Sequence, residues 1–139
     1  MISNWLNRWQ KKNFGKTDEI EEELNKVKEK FDAQFISFIG VSGNINGLNL
    51  IFVAEENFDA RLFAGIFAEL YQKIELVNKE FFNEEIGLSY INFLEKSLFF
   101  GPITETVVFA GVLSNEKSVK NISDWLEKNR TRIKPIFNF

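Results

Sequence analysis

The longest helical pattern in the chain runs from about Asp59 to Phe82 and is apolar on more than one side. Leu62, Phe63, Ile66, Phe67, Leu70, Ile74, Val77 and Phe81 recur at three- and four-residue intervals and give an apolar face. Ala60, Ala64 and Ala68 recur every fourth residue beside Gly65, so a stripe of small side chains runs along the first half. A helix apolar on more than one face is buried on more than one side, and small side chains let another backbone approach closely. One side can meet the chain's own sheet and the other a second subunit. Asn57 or Asp59 is the expected cap, since both side chains accept hydrogen bonds from free helix N–H groups.

The flanking segments supply that sheet. Phe35 to Val41 and Leu48 to Val53 are β-rich runs separated by Ser42-Gly43-Asn44-Ile45-Asn46-Gly47, whose Gly and Asn residues tolerate positive φ, so the pair reads as a hairpin. Beyond the long helix, Ile86 to Leu94, Leu98 to Ile103 and Thr106 to Leu113 are separated by intervals short enough for antiparallel hairpins. Pro102 lacks an N–H and ends its strand or lies at an edge. A helix with Ile20, Leu24, Val27 and Phe31 on one face precedes the sheet, and another from Ser118 or Asn121, carrying Val119, Ile122, Trp125, Leu126 and Ile133, runs to Pro135.

The amino terminus is a separate matter. Trp5, Leu6 and Trp9 fall on one helical stripe, with Arg8, Lys11 and Lys12 away from it. Residues 1–16 form a short amphipathic basic helix, and residues 17–139 form the domain proper. Asn13 to Thr17 is the expected break, with Gly15 at positive φ and Thr17 or Asp18 capping the next helix. Trp5, Leu6 and Trp9 are expected to dock on protein, their own domain or a foreign one; weak, reversible contact with an anionic membrane is the other use of such a helix.

Composition narrows the chemistry. With no histidine and no cysteine, the chain lacks thiol nucleophiles, disulfides, Cys/His zinc sites and the usual general base near neutrality. Residues 1–16 carry four cations and no acid, so the remainder bears a net −7 against −3 for the whole chain. An acidic body of this kind repels nucleic acid, whose affinity comes mainly from phosphate neutralisation. No secretory signal is read at the amino terminus, and the expected location is cytoplasmic. Sixteen of the 139 residues are Phe, and Phe58, Phe63, Phe67, Phe81 and Phe82 cannot all face one sheet from one helix, which points to association.

Leaving aside the first short helix, the order is α-β-β-α-β-β-β-α around a central five-stranded antiparallel sheet, an α+β sandwich. In the hairpin Phe35–Val53, the helix Ala60–Phe82, the hairpin Ser97–Leu113 and the helix Ser118–Ile133, the chain resembles the roadblock (dynein light chain) family, a relative of longin and profilin-like folds. The resemblance covers about residues 18 to 137. It implies a non-enzymatic homodimer, without cofactor, joined through the central helix and the strand after it. Such a dimer would be a platform that activates, exchanges or holds a small Ras-like GTPase. Mapped onto this chain, it would place Ala60, Ala64, Ala68 and Tyr71 on the helix, with Leu88 and Tyr90 on the strand, at the dimer surface.

Other readings compete with this one. Gly43 to Gly47 lacks the Gly-Lys-Ser/Thr ending of a phosphate loop and is taken as a hairpin turn. The pairs Glu55-Glu56 and Glu84-Glu85 are taken as solvated rather than catalytic. An alternative function is a profilin-like or PAS-like sensory module, with some of the phenylalanines lining an apolar ligand pocket between sheet and helix.

Overall fold

The computed structural model describes residues 2–138, without the side chains of residues 2–4 and 14. Met1, the first residue of the expected amino-terminal helix, lies outside the described residues. In chain order the elements are α1 (Ile2–Lys12), α2 (Phe14–Lys30), β1 (Ala33–Gly40), β2 (Asn49–Ala54), α3 (Ala60–Val77), β3 (Ser89–Asn92), β4 (Ser97–Pro102), β5 (Val107–Leu113) and α4 (Val119–Ile133). The fold is α+β, with one five-stranded sheet ordered β2-β1-β5-β4-β3 and every neighbouring pair antiparallel. β2 and β3 are its edges.

Alternation along the strands sorts the core into two layers. Phe35, Ile39, Phe100, Val108 and Ala110 turn to the face covered by α3. Ile36, Phe38, Phe99, Phe109 and Leu113 turn to the other face, where α2 contributes Ile20 and Leu24 and α4 contributes Ile122, Leu126 and Ile133. Gly111 stands opposite Phe99 across β4 and β5. A Cβ there would lie 2.3 Å from the Phe35 carbonyl oxygen and 2.7 Å from the Phe99 ring, so only glycine lets that ring lie over the strand.

Local signals account for most boundaries. The first hairpin closes through a short 3-10 turn at Gly43–Ile45, with Gly43 and Gly47 at φ of +63° and +80°. Asp59 caps α3, its carboxylate accepting the Leu62 N–H at 3.0 Å. The α-helical part of α3 stops at Val77; the rest of the expected helix is one wide turn, Asn78–Phe82, ended by Asn83 in the left-handed region. β3 is shorter than expected, four residues rather than the span from Ile86 to Leu94.

The junction between α1 and α2 corrects the expected break. Only Asn13 interrupts the helices, and Gly15 lies inside α2 without a positive φ. The hydrogen-bond ladder carries across the joint, the Thr17 N–H reaching the Asn13 carbonyl at 2.8 Å and the Asn13 side-chain amide reaching the Trp9 carbonyl at 2.9 Å.

Candidate interaction surface

α3 turns its small side inward. Ala64, Ala68 and Tyr71 are 0%, 1% and 3% exposed and share a buried cluster with Phe35, Ile39 and Phe100, with Ala60 half-buried against it. This corrects the expectation that Ala60, Ala64, Ala68 and Tyr71 face a second subunit. The reason is volume: the sheet face beneath already carries phenylalanine rings, and small side chains let α3 settle onto them at interior packing density. Phe63 and Phe67 lie beside the alanines, with ring centroids 5.0 Å from Phe35 for Phe63 and 5.8 Å from Phe100 for Phe67. Phe35 also stacks on Phe58 at 4.8 Å. The rings that a ligand pocket between helix and sheet would need are packed on one another.

Rotating α3 this way leaves its large aliphatic side chains outside. Leu62, Ile66 and Leu70, spaced by four residues, form one exposed row, which Leu76 and Val77 continue towards Phe81 and Phe82. Ile66 is 60% and Phe81 76% exposed. A Cβ at Gly65 would meet nothing within 4 Å, so a shallow groove opens between Arg61, Leu62, Ile66 and Glu69 where another backbone can come close.

The edge strand β3 carries a second set of exposed apolar side chains. Phe93 donates its N–H to the Lys96 carbonyl at 2.7 Å, closing a two-residue turn at Leu94-Glu95. Hydrogen-bonding direction alternates along an antiparallel strand, so Ile91 and Ser89 direct their backbone groups at β4 while Tyr90 and Asn92 direct theirs away from the sheet. Tyr90, Ile91 and Phe93 are exposed, and Leu94 is 99% exposed. Of the two strand residues expected at an interface, Tyr90 is displayed on the edge. Leu88 is half-buried and packs towards the α4 side, near Gly101. Ile91, Phe93 and Leu94 fall within the Ile86–Leu94 strand expected at the interface but were not singled out in it, although a leucine at a turn apex, where polar residues are usual, was a signal.

Charged residues flank the apolar row, with Arg61, Glu69, Lys73 and Glu75 exposed along α3. Burial pushes the Tyr71 phenol up to about 12, and the neighbouring Glu75 carboxylate adds to the shift, so the phenol stays neutral. Burial also raises the Glu75 carboxyl above its ordinary 4.5. The pairs Glu55-Glu56 and Glu84-Glu85 are exposed, and among the described residues no cluster of acids could hold a metal ion.

The amino-terminal stripe is already docked. Trp9 is buried, donates its indole N–H to the Ile136 carbonyl at 3.0 Å and stacks on Phe137 at 5.8 Å. Trp5 and Leu6 pack half-buried against the same core. Trp5, Leu6 and Trp9 thus rest against their own domain, one of the two protein surfaces expected to receive them. No helix among the described residues is long and apolar enough to cross a membrane.

No family model and no curated protein matches the sequence. Solved structures match its shape. MglB of Myxococcus xanthus superposes with a TM-score of 0.70 at 15% identity, over 86% of this chain and 94% of that one. The fold is that of a roadblock/LC7 domain. A roadblock/LC7 domain from Streptomyces avermitilis gives a TM-score of 0.64 at 11% identity, covering 81% of this chain and 93% of that one. The gliding protein MglB of Thermus thermophilus gives 0.66 at 14% identity, covering 82% and 87%. On this fold the chain displays the outer face of α3 and the free edge of β3.

Proposed function

We propose that this chain is a non-enzymatic homodimeric platform for a small Ras-like GTPase, working in the cytoplasm. The observations that carry the reading are the exposed apolar row on the outer side of α3 and the unpaired, apolar β3 edge. Monomeric proteins rarely leave a surface of that kind uncovered, and an unpaired strand edge beside it invites a second strand. A two-fold pairing through this surface would merge two sheets into one and bury Leu62, Ile66 and Leu70 against a copy of themselves. The partner class comes from the roadblock fold, and the domain would act by positioning the GTPase's own groups.

The test has two parts. Light scattering on the purified chain is expected to give twice the 16.2 kDa protomer mass, falling to the protomer mass in Ile66→Arg. The dimer is then expected to retain a Ras-like GTPase from a candidate panel in a nucleotide-dependent manner. Equal retention with GTP analogue, GDP and an unrelated protein rejects the platform reading.

A further inference from the structure

We infer that β2 is a docking edge for an extended segment of another protein, one in which basic and apolar side chains alternate. The inference stands apart from the homodimer reading, which uses the opposite edge of the sheet. The hydrogen-bonding direction of β2 follows from the bond that continues its ladder, from the Glu55 N–H to the Gln34 carbonyl at 2.8 Å. Val53 with Ile36 and Ile51 with Phe38 are therefore the bonded pairs, and Phe52 and Ala54 direct their N–H and carbonyl groups away from the sheet. The irregularity that leaves Leu50 without a partner lies at the start of the strand, so Ile51 to Ala54 run regularly. The strand, Asn-Leu-Ile-Phe-Val-Ala, has no charged residue and no proline to blunt that edge.

A groove of about 480 Å³ opens beside this edge, between residues 49–52 and the junction of α1 with α2. Those strand residues span roughly 10 Å, room for three or four residues of an added strand. Lys11, Asp18 and Glu21 line the helical wall of the groove and are exposed, and among the described residues none of them has an ion-pair partner. The two faces of the edge ask for different side chains. A residue paired with Phe52 shares its face of the sheet, beside a ring that is 40% exposed and 6.4 Å from Phe35, so an apolar side chain fits there. Its neighbours, opposite Ile51 and Val53, turn to the α2 side, where two carboxylates stand against one lysine and a basic side chain fits. Neither β3 of a second copy, Ser-Tyr-Ile-Asn, nor β2 itself brings a cation to those carboxylates. The charge of the groove thus selects a foreign strand over a second copy.

The probe is a capped hexapeptide of alternating valine and lysine, titrated into the full-length chain at low salt. Saturable binding is expected, with amide exchange measured by NMR slowing at Phe52 and Ala54. A hexapeptide of alternating valine and glutamate, and one with three valines followed by three lysines, are expected to bind at least about tenfold more weakly. Reversing the wall with Asp18→Lys and Glu21→Lys is expected to weaken the valine–lysine peptide by about tenfold, and Lys11→Glu to tighten it. All three side chains are exposed, so these variants are expected to keep the wild-type melting temperature. Affinity unchanged in both charge variants, exchange slowed at Tyr90 and Asn92 instead of Phe52 and Ala54, or no saturation up to about 1 mM peptide overturns the inference. Protection of Phe52 and Ala54 that rises with chain concentration in the absence of peptide assigns the edge to a second copy and overturns it as well. Each of these outcomes leaves the pairing proposed through α3 and β3 intact.

Discussion

The indole N–H of Trp9 reaches the carbonyl oxygen of Ile136 at 3.0 Å, joining residues 127 positions apart and fastening α1 to the end of the chain. The bond lies inside an aromatic stack in which Phe137 sits 5.8 Å from Trp9 and 4.9 Å from Phe38 of β1. α1 is thus packed onto the core through Trp9, and its cations Arg8, Lys11 and Lys12 face solvent together with Asn7 and Gln10.

Trp9→Phe keeps most of the apolar volume but strands the Ile136 carbonyl. Losing the hydrogen bond to a buried group costs about 1–3 kcal/mol. Chemical denaturation should show a lower midpoint with an unchanged slope. An unchanged midpoint would mean that α1 contributes nothing to the folded domain.

Two positions on α3 separate core from surface. Ala64→Arg places an unpaired cation among Phe35, Ile39 and Phe100 and should cost more than about 4 kcal/mol, leaving little folded protein. Ile66→Arg adds the same charge two residues along, on the exposed row, and should change protomer stability by less than about 0.5 kcal/mol. Circular dichroism melts of the two variants at low concentration decide whether α3 faces the way described.

Gly111→Ala tests a close backbone approach within the sheet. Its new methyl would meet the Phe35 carbonyl oxygen at 2.3 Å and the Phe99 ring at 2.7 Å, neither at the end of a flexible chain. A loss of about 3 kcal/mol is expected, at the upper end of overpacking costs. Phe99→Leu in the same background should recover part of it by freeing the ring's space, which a double-mutant cycle measures.

The Glu75 carboxyl titrates above its ordinary 4.5 because it is partly buried. A raised carboxyl value means that the folded state binds the proton more tightly. Glu75 therefore favours folding at pH below the ordinary value and loses that contribution as pH rises through the folded value. Glu75→Gln should raise the melting temperature slightly at pH 7, by no more than the equivalent of about 0.5 kcal/mol for a group this exposed, and should have no effect at pH 3. An equal gain at both pH values would assign it to packing instead.

Much of this protein was legible in its sequence, because much of it is local. Period-two and period-four patterns, the Gly/Asn turn at residues 42–47, the Asp59 cap and Pro102 specify where strands and helices start, stop and double back, and with them the roadblock element order. The two hairpins follow from short connections that bring successive strands side by side, whereas the pairing of β1 with β5 joins segments far apart in sequence. β3 was overextended because Ile86 and Leu88 have strand-like side chains, whereas pairing with β4 is what defines the strand.

The facing of α3 was not local. Its two apolar stripes satisfy the helical period equally well, and no property of residues 60–77 alone says which belongs inside. The choice belongs to the sheet: Phe35 and Phe100 fill the space beneath the helix, so alanines must face them and Leu62, Ile66 and Leu70 must turn out. Trp9 was ambiguous for the same reason, since its partner lies 127 residues away. The sequence by itself determined the elements and their order through backbone geometry and periodicity. Tertiary structure decided which apolar face is core and which is surface, because volume complementarity between segments distant in sequence exists only once they meet.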